Sequence, residues 1–153
     1  MELLSFGSCL SVGLLVGALL LEAFLLVPYW QSLTPERFSA LHGEVGPRLY
    51  RFFAPITTAA TALAVVTATA ALLTSNRAQL AAAGTALCLV AMLGLYIAYF
   101  AKANARLAAA ADHPEQLDPE YLTTELSRWA QLHRLRVAIG LVGFACSLYA
   151  LTL

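Results

Sequence analysis

Four long apolar stretches constrain this chain more than any other feature of its sequence. They cover approximately residues 3–27, 52–74, 80–100 and 137–153, and a helix needs about 20 residues to cross a bilayer. The last stretch reaches that length if its helix begins earlier, near Trp129. Hydrophobic residues make up 60% of the chain and charged residues 12%, whereas a soluble domain carries about 25% charged residues. The sequence therefore predicts an all-α integral membrane protein and argues against a soluble enzyme, a nucleic-acid binder or a disordered adaptor.

The expected architecture is a single domain over residues 1–153, an antiparallel bundle of four transmembrane helices at about 3–28, 47–74, 77–110 and 119–152. Thr34-Pro35-Glu36 and Asp118-Pro119-Glu120 each combine a capping side chain, a first-turn proline and an acidic residue, which is typical of a helix start. The second signal predicts that helix four begins near Pro119 outside the membrane and continues into it. Helix three is expected to protrude on the same side, because its Ala-rich continuation runs through Arg106 to about Ala111. The first stretch is interpreted as a retained helix and not as a signal peptide, since residues 1–8 contain no Lys or Arg.

The basic residues are distributed unequally between the two sides of the predicted bundle. Loop one, about residues 28–51, holds three of the nine, and loop three with the start of helix four holds five. By the positive-inside rule both long loops are expected in the cytoplasm and both termini outside it, in a multi-pass protein of the bacterial inner membrane. These eight residues are Arg37, Arg48, Arg51, Lys102, Arg106, Arg128, Arg134 and Arg136.

A few polar and aromatic side chains within the apolar stretches are the candidates for chemistry. Glu22 lies about 9 Å from the end of helix one at Pro28, a costly depth for an acid. Trp129, His133 and Arg136 share one face of helix four by their spacing, with Gly140 beyond them. Each also has a structural interpretation, as an interfacial anchor or an internal packing pair. On helix three the spacing places three further residues on one face: Tyr96, Phe100 and Asn104.

These side chains are expected to meet at one end of the bundle. Glu22, Asn104, His133 and Arg136 all lie near the cytoplasmic membrane surface in the predicted topology, and should come within reach of one another. His42, in loop one, is either part of a lid or merely solvated. Gly13 and Gly17 form a small-xxx-small pattern that brings helices together.

Metal and nucleic-acid binding find little support in the sequence. Cys9, Cys88 and Cys146 lie far apart in apolar runs without a CxxC pair, which indicates small core residues. The three histidines show no i, i+4 pairing, so no metal site is expected. The formal net charge of zero removes the bulk electrostatic case for nucleic acid.

Two segments near the proposed site resemble a known family. Asn104-Ala105-Arg106-Leu107 is similar to an N-R-R-L-type segment after helix three, and Arg128–Arg136 is similar to an R-W-x-x-L-H-x-x-R opening of helix four. Both occur in the DUF1772 family of four-helix membrane proteins, which includes the anthrone oxygenases of polyketide pathways. One departure is Lys102-Ala103, where family members often carry a proline. A related four-helix group, the DUF4149 proteins, fits residues 129–136 less well.

The resemblance implies a cofactor-independent oxygenase, or another oxidoreductase, acting on an aromatic or quinone-like hydrophobic molecule. Removal of an acidic C–H beside an aromatic ketone would give an enolate that reacts directly with oxygen, and this needs a base and donors for the oxyanion. His133 would be the base, with Glu22 orienting it or accepting the proton itself. Arg136 and Asn104 would bind the oxyanion. Three aromatic residues would contact the substrate: Trp129, Tyr96 and Phe100.

Two other functions stay open at this point. The chain could be a non-catalytic structural or assembly subunit of a larger membrane complex, with the polar residues serving as internal packing. Alternatively it could bind or transport a small molecule, including haem or quinone held through His133 or His42, although no inverted repeat favours transport. The expected partners are the lipid bilayer and a hydrophobic small molecule, with a second copy of the chain or a larger complex left open and nucleic acid excluded.

Overall fold

The computed structural model describes residues 2–112 and 118–153, and these form four long helices. They are α1 (Glu2–Ser32), α2 (Pro35–Leu73), α3 (Gln79–Ala111) and α4 (Pro119–Ala150), each long and apolar enough to cross a membrane. The chain is therefore an integral membrane protein built as an all-α bundle of four transmembrane helices. His113, expected to be solvated in loop three, lies outside the described residues.

The helices are arranged as a ring in which each packs mainly against two others. α3 packs against α2 and α4, and α1 packs against α2 and α4. Two hydrogen bonds mark the antiparallel pairs: the Thr67 hydroxyl of α2 donates to the Leu4 carbonyl of α1 (3.3 Å), and the Thr85 hydroxyl of α3 donates to the Gly143 carbonyl of α4 (3.3 Å). Sequence neighbours are thus spatial neighbours, and α4 closes the ring onto α1.

The start of α2 corrects the expected boundary at residue 47, and with it the long loop one. α1 continues to Ser32, and α2 begins at Pro35, so two residues, Leu33 and Thr34, connect them. The Thr34 hydroxyl accepts a hydrogen bond from the Arg37 backbone N–H (3.5 Å), which is the capping arrangement typical of this sequence. Because Thr34-Pro35-Glu36 starts the helix, residues 35–51 form its first turns and not a loop.

Two prolines lie inside α2, at positions 47 and 55. A helical proline leaves the carbonyl four residues earlier without its usual donor, and for Pro55 that carbonyl belongs to Arg51. The Thr58 and Thr61 hydroxyls do not bond this carbonyl, since they donate to the carbonyls of Ala54 and Thr57. Both threonines therefore make ordinary bonds one turn back along the helix.

A wide π-helical turn interrupts two of the four helices. One covers Glu22–Leu26 in α1 and the other Tyr96–Phe100 in α3. A π-turn carries i→i+5 hydrogen bonds and therefore changes the angular position of the residues that follow it, and such turns are frequent at functional sites. Both occur at the same end of the bundle, where most of the basic residues lie; this end is called the basic end below.

Close helix approach depends on small residues in the apolar half of the bundle. A Cβ at Gly143 would lie 2.9 Å from Cys88 Cβ, and a Cβ at Gly13 would lie 2.9 Å from the Phe144 ring. Gly17 has open space where its Cβ would be, so only the first glycine of the predicted small-xxx-small pair makes a close approach. Cys9 is buried, whereas Cys88 and Cys146 are half-buried, and all three are free thiols.

Candidate functional site

A cavity of about 450 Å³ lies at the basic end of the bundle. Its volume is within the ~300–1,000 Å³ range of pockets that bind small molecules. All four helices contribute to its walls. The polar and aromatic lining residues are Glu22 and Trp30 of α1, His42, Tyr50, Phe53, Thr57 and Thr58 of α2, Tyr96 and Asn104 of α3, and Trp129 and Arg136 of α4.

The cavity opens sideways, between α2 and α3. The lining residues from α1 and α4 are all buried, whereas every exposed lining residue belongs to α2 or α3. α1 and α4 therefore form the back of the cavity and carry its two charged groups, Glu22 and Arg136. The exposed rim consists of Pro47, Tyr50, Thr58, Leu93, Ala101 and Ala105.

Glu22 places a carboxylate in the back wall of the cavity. It is the first residue of the π-helical turn in α1 and is 5% exposed. Its Oε2 atom lies 3.7 Å from Nε2 of His133, and the charge of Arg136 is close enough to attract it. A buried charge is tolerated when it is paired, and Glu22 has both a cationic neighbour and access to the cavity.

His133 lies behind the cavity wall. Its side chain is fully buried and does not line the cavity. Its Nε2 lies 3.2 Å from the Leu19 carbonyl oxygen, and because a carbonyl can only accept, Nε2 carries a proton. Its ring also stacks on that of Trp129, with centroids 5.0 Å apart and planes 14° apart. His133 thus ties α4 to α1 and supports both Glu22 and Trp129.

Trp129 and Asn104 present a fixed pair of groups to the cavity. The Trp129 indole N–H donates to Oδ1 of Asn104 (3.0 Å). Because the indole nitrogen is a donor only, the amide must place its oxygen toward Trp129. The Asn104 NH₂ group is therefore available to a ligand in the cavity as a hydrogen-bond donor.

Arg136 is a buried cation in the same wall. Its guanidinium lies over two aromatic rings, 5.2 Å from the centroid of Phe100 and 6.0 Å from that of Phe53. Cation–π contacts of this kind are strongest where water is excluded. The two rings and Glu22 hold the guanidinium beside the cavity.

The predicted set of site residues therefore separates into two groups. Glu22, Asn104, Trp129, Arg136 and Tyr96 line the cavity, whereas His133 and Phe100 are fully buried behind it. The expectation that Phe100 faces the ligand together with Tyr96 is wrong, because both belong to the π-helical turn, which does not keep the spacing of an α-helix. Phe100 instead packs edge-on against Trp129, with ring centroids 5.3 Å apart.

Trp30 and His42 are two of the lining residues that the sequence did not assign to the substrate site, although His42 was considered as a lid residue or as a haem or quinone ligand. Trp30 packs edge-on against Trp129, with centroids 5.8 Å apart, and His42 contacts Trp30 with centroids 6.2 Å apart. Both lie in the segment interpreted as the end of helix one and loop one. The helix-start signal Thr34-Pro35-Glu36 could have identified this part of the site. A continuous helix from Pro35 places His42 on a helix face and not in a loop.

A third polar group lies beside the site and joins α3 to α4. Oε1 of the buried Glu125 accepts hydrogen bonds from the Tyr99 hydroxyl (3.1 Å) and from Nη2 of Arg106 (3.1 Å). None of the three residues lines the cavity. The sequence showed Glu125 only as one of several acids near the start of helix four, so this packing role was missed.

No metal-binding group is formed by the residues whose positions are described: nowhere do three His, Cys, Asp or Glu side chains come together. The fold and the cavity define a small four-helix membrane protein with a laterally open, aromatic-walled cavity. The sequence profile of the anthrone oxygenase family matches residues 47–146, and the chain belongs to that family. Neither a search of curated proteins nor a search of solved structures found a significant match.

The family match covers part of the site. Asn104, Trp129, His133 and Arg136 lie within the matched residues. Glu22, Trp30 and His42 precede residue 47, where the match begins. The carboxylate in the cavity and one of its two tryptophans therefore come from the segment outside the match.

Proposed function

We propose that this protein is a membrane-bound oxygenase that converts an anthrone-like aromatic ketone to the corresponding quinone, with molecular oxygen as the oxidant. The observation that carries the proposal is the cavity itself, which has a carboxylate, an amide donor and a guanidinium in its walls beside two tryptophans. Membership of the anthrone oxygenase family supports the same chemistry.

The reaction needs one base and a site for an oxyanion. Removal of a proton from the methylene carbon opposite the ketone gives an enolate. The enolate carbon donates electrons to O₂ and forms a C–O bond, and protonation gives a hydroperoxide. Loss of water from this hydroperoxide breaks the O–O bond and leaves a second carbonyl, so that one O₂ is consumed and one water is released for each quinone.

Glu22 is the proposed base. It is the carboxylate in the cavity wall, and a general base must come within hydrogen-bond reach of the proton that it removes. We assign the oxyanion to the NH₂ group of Asn104 and the guanidinium of Arg136, because fixed donors in a site with little water stabilise developing charge most effectively. Trp129 and Trp30 are the proposed surfaces for the aromatic rings, with Tyr96 at the mouth.

His133 has a positioning role in this scheme. Its contacts with Glu22, Leu19 and Trp129 favour an indirect effect through the carboxylate and the indole. The reaction as written needs no metal and no organic cofactor, since the enolate itself reduces O₂. Haem or quinone binding through His133 is disfavoured by its burial.

The proposed setting is the bacterial inner membrane, with both termini outside the cytoplasm and the basic end facing it. Eight of the nine Lys and Arg residues support this orientation. The proposed partners are the lipid bilayer and a hydrophobic aromatic molecule.

The direct test is turnover of anthrone by the purified protein in mild detergent with a metal chelator present. We expect O₂ uptake and quinone absorbance above the rate of spontaneous oxidation. An absorption spectrum of the same preparation should lack a Soret band. Ala105→Trp, at the rim of the mouth, should block turnover. Ala98→Trp is the control, because Ala98 is exposed on α3 but does not line the cavity. Turnover at the background rate, or a haem spectrum, would contradict the proposal.

A further inference from the structure

His42 is a polar group in the cavity that the proposed reaction does not use. Its side chain is 9% exposed and lines the cavity. Phe38 and Trp30 pack against its ring, with centroids 5.4 Å and 6.2 Å away. Within residues 2–112 and 118–153, no hydrogen bond joins it to another side chain or to the backbone. Because the ring lines the cavity and has no such partner, its nitrogens are free to hydrogen-bond with a group of a ligand there.

Gly46 leaves one face of the His42 ring uncovered. It also lines the cavity, one turn after His42 on α2. A Cβ at this position would lie 3.3 Å from Nε2 and 3.5 Å from both Cδ2 and Cε1 of His42, and so over the face of the ring. A residue larger than glycine would therefore crowd the ring and shift its nitrogen from this position.

The position of His42 shows which part of a ligand it would meet. Phe53 packs on Arg136, and His42 precedes Phe53 by eleven residues, about 16 Å along the axis of α2. Glu22 and Arg136 thus lie toward the inner end of the cavity and His42 toward its outer end. A flat three-ring molecule whose reacting carbon is beside Glu22 would extend its outer ring toward His42.

We propose that His42 is a specificity-determining residue that binds a hydroxyl group on the outer ring of the aromatic ligand, with Gly46 leaving room for the imidazole ring in its present position. A hydroxyl fits because it both donates and accepts, so it pairs with Nε2 in either tautomer of the neutral imidazole. The inference rests on the proposed function only in taking the cavity as the binding site for an aromatic molecule. It concerns recognition and requires no catalytic step.

The protein carries its own probe for this test. Trp30 and Trp129 are the two tryptophans of the chain, and both line the cavity, so a bound quinone should quench the intrinsic fluorescence. The probes are anthraquinone and 2-hydroxyanthraquinone, which differ by one hydroxyl on the outer ring. Both are already at the oxidation level of the reaction product, so the protein cannot oxidise them further and binding is measured without turnover.

In the unmodified protein we expect 2-hydroxyanthraquinone to bind about three- to tenfold more tightly, the range of one hydrogen bond. His42→Phe, which keeps an aromatic ring against Trp30 and Phe38, should remove this preference and leave the affinity for anthraquinone unchanged. Gly46→Ala should reduce the preference with His42 still present. The control is Gly94→Ala, where a Cβ meets nothing within 4 Å and which lies outside the cavity lining.

Equal binding of the two quinones to the unmodified protein, or a preference that persists in His42→Phe, would overturn the role of His42. Neither result would bear on the proposed oxygenase activity, which the anthrone turnover assay tests separately. If neither quinone binds, the inference is also overturned, and the proposed function then depends on the turnover assay alone. If His42→Phe fails to fold, as judged by its thermal transition, Gly46→Ala decides the question.

Discussion

The indole nitrogen of Trp129 donates a hydrogen bond to Oδ1 of Asn104, and this bond determines which end of the amide faces the cavity. The consequence is a donor group of fixed orientation in a wall that also holds Arg136 and Glu22. Neither residue alone specifies that orientation. The pair, one on α3 and one on α4, links the packing of two helices to the chemistry of the cavity.

Asn104→Asp tests this relationship. The aspartate keeps an oxygen for the Trp129 indole but replaces the NH₂ donor with a second oxygen, which would repel an oxyanion. We expect the turnover number for anthrone to fall about 10²- to 10³-fold, the usual loss when one oxyanion donor is removed. The thermal transition should remain close to that of the unmodified protein. Asn104→Leu, which also removes the acceptor of the indole N–H, should lower stability in addition. An active Asn104→Asp variant would contradict the role of the amide.

Glu22→Gln tests the base. The amide has nearly the same shape as the carboxylate but cannot accept the proton, so we expect a loss of about 10²- to 10⁴-fold in turnover. Anthraquinone binding, measured by quenching of tryptophan fluorescence, should persist. Glu44→Gln is the matched control, since Glu44 is exposed on α2 and pairs with Arg48 at 3.3 Å. If Glu22→Gln retained full activity, Glu22 would not be the base and another group would have to remove the proton.

His133→Ala should affect stability as well as activity. The substitution removes the hydrogen bond to the Leu19 carbonyl and the ring stacked on Trp129, and it leaves a cavity in the core. Losses of these kinds typically lower the free energy of unfolding by about 2–5 kcal/mol in total. Arg134→Ala, at an exposed position one residue further along α4, provides the comparison. A variant that is as stable as the unmodified protein but inactive would favour direct participation of His133 in catalysis.

Gly143→Ala should destabilise the packing of α3 on α4. The new Cβ would lie 2.9 Å from Cys88 Cβ, an atom attached directly to the backbone, so the helices would have to separate. Gly17→Ala meets no neighbour within 4 Å and should be neutral or slightly stabilising, because alanine favours a helix over glycine by up to about 1 kcal/mol. Thermal unfolding in detergent followed by circular dichroism compares the two. Equal transition temperatures would show that α3 and α4 are less closely packed than described here.

Topology can be measured independently of activity. Reporter fusions after Leu153 should report a non-cytoplasmic location, and fusions within residues 113–117 a cytoplasmic one, because the basic residues are concentrated at one end. The reverse pattern at both positions would place the mouth of the cavity on the other side of the membrane. It would leave the geometry of the site unchanged.

Much of the fold follows from hydropathy and helix starts. Asp118-Pro119-Glu120 precedes a helix that begins at Pro119, where the Asp118 side chain accepts from the N–H groups of Glu120 and Tyr121. The same kind of signal at Thr34 was noted, but residues 35–51 were still assigned to loop one because the boundary of helix two was set by the apolar stretch. Polar residues there do not prevent a helix, because a helix that leaves the membrane needs a polar face.

The site was harder to predict, because its geometry depends on features that have no simple sequence pattern. The π-helical turns at Glu22 and Tyr96 change which side chains face inward, so Phe100 and Tyr96 separate although they are four residues apart. His133 and Arg136 lie on one face of α4, yet Arg136 reaches the cavity and His133 does not. That difference is set by Trp129, which lies between His133 and the cavity and is contributed by the same helix.

The sideways opening between α2 and α3 also determines how occupancy of the cavity should be expressed. Its rim is formed by residues such as Tyr50 (59% exposed) and Leu93 (37% exposed). A flat apolar molecule partitions into the acyl chains before it meets this rim, and it arrives by diffusion in two dimensions. The relevant quantity is then the mole fraction of the molecule in the lipid phase. Diluting a vesicle suspension with buffer should leave the occupancy nearly constant, whereas adding empty vesicles should lower it.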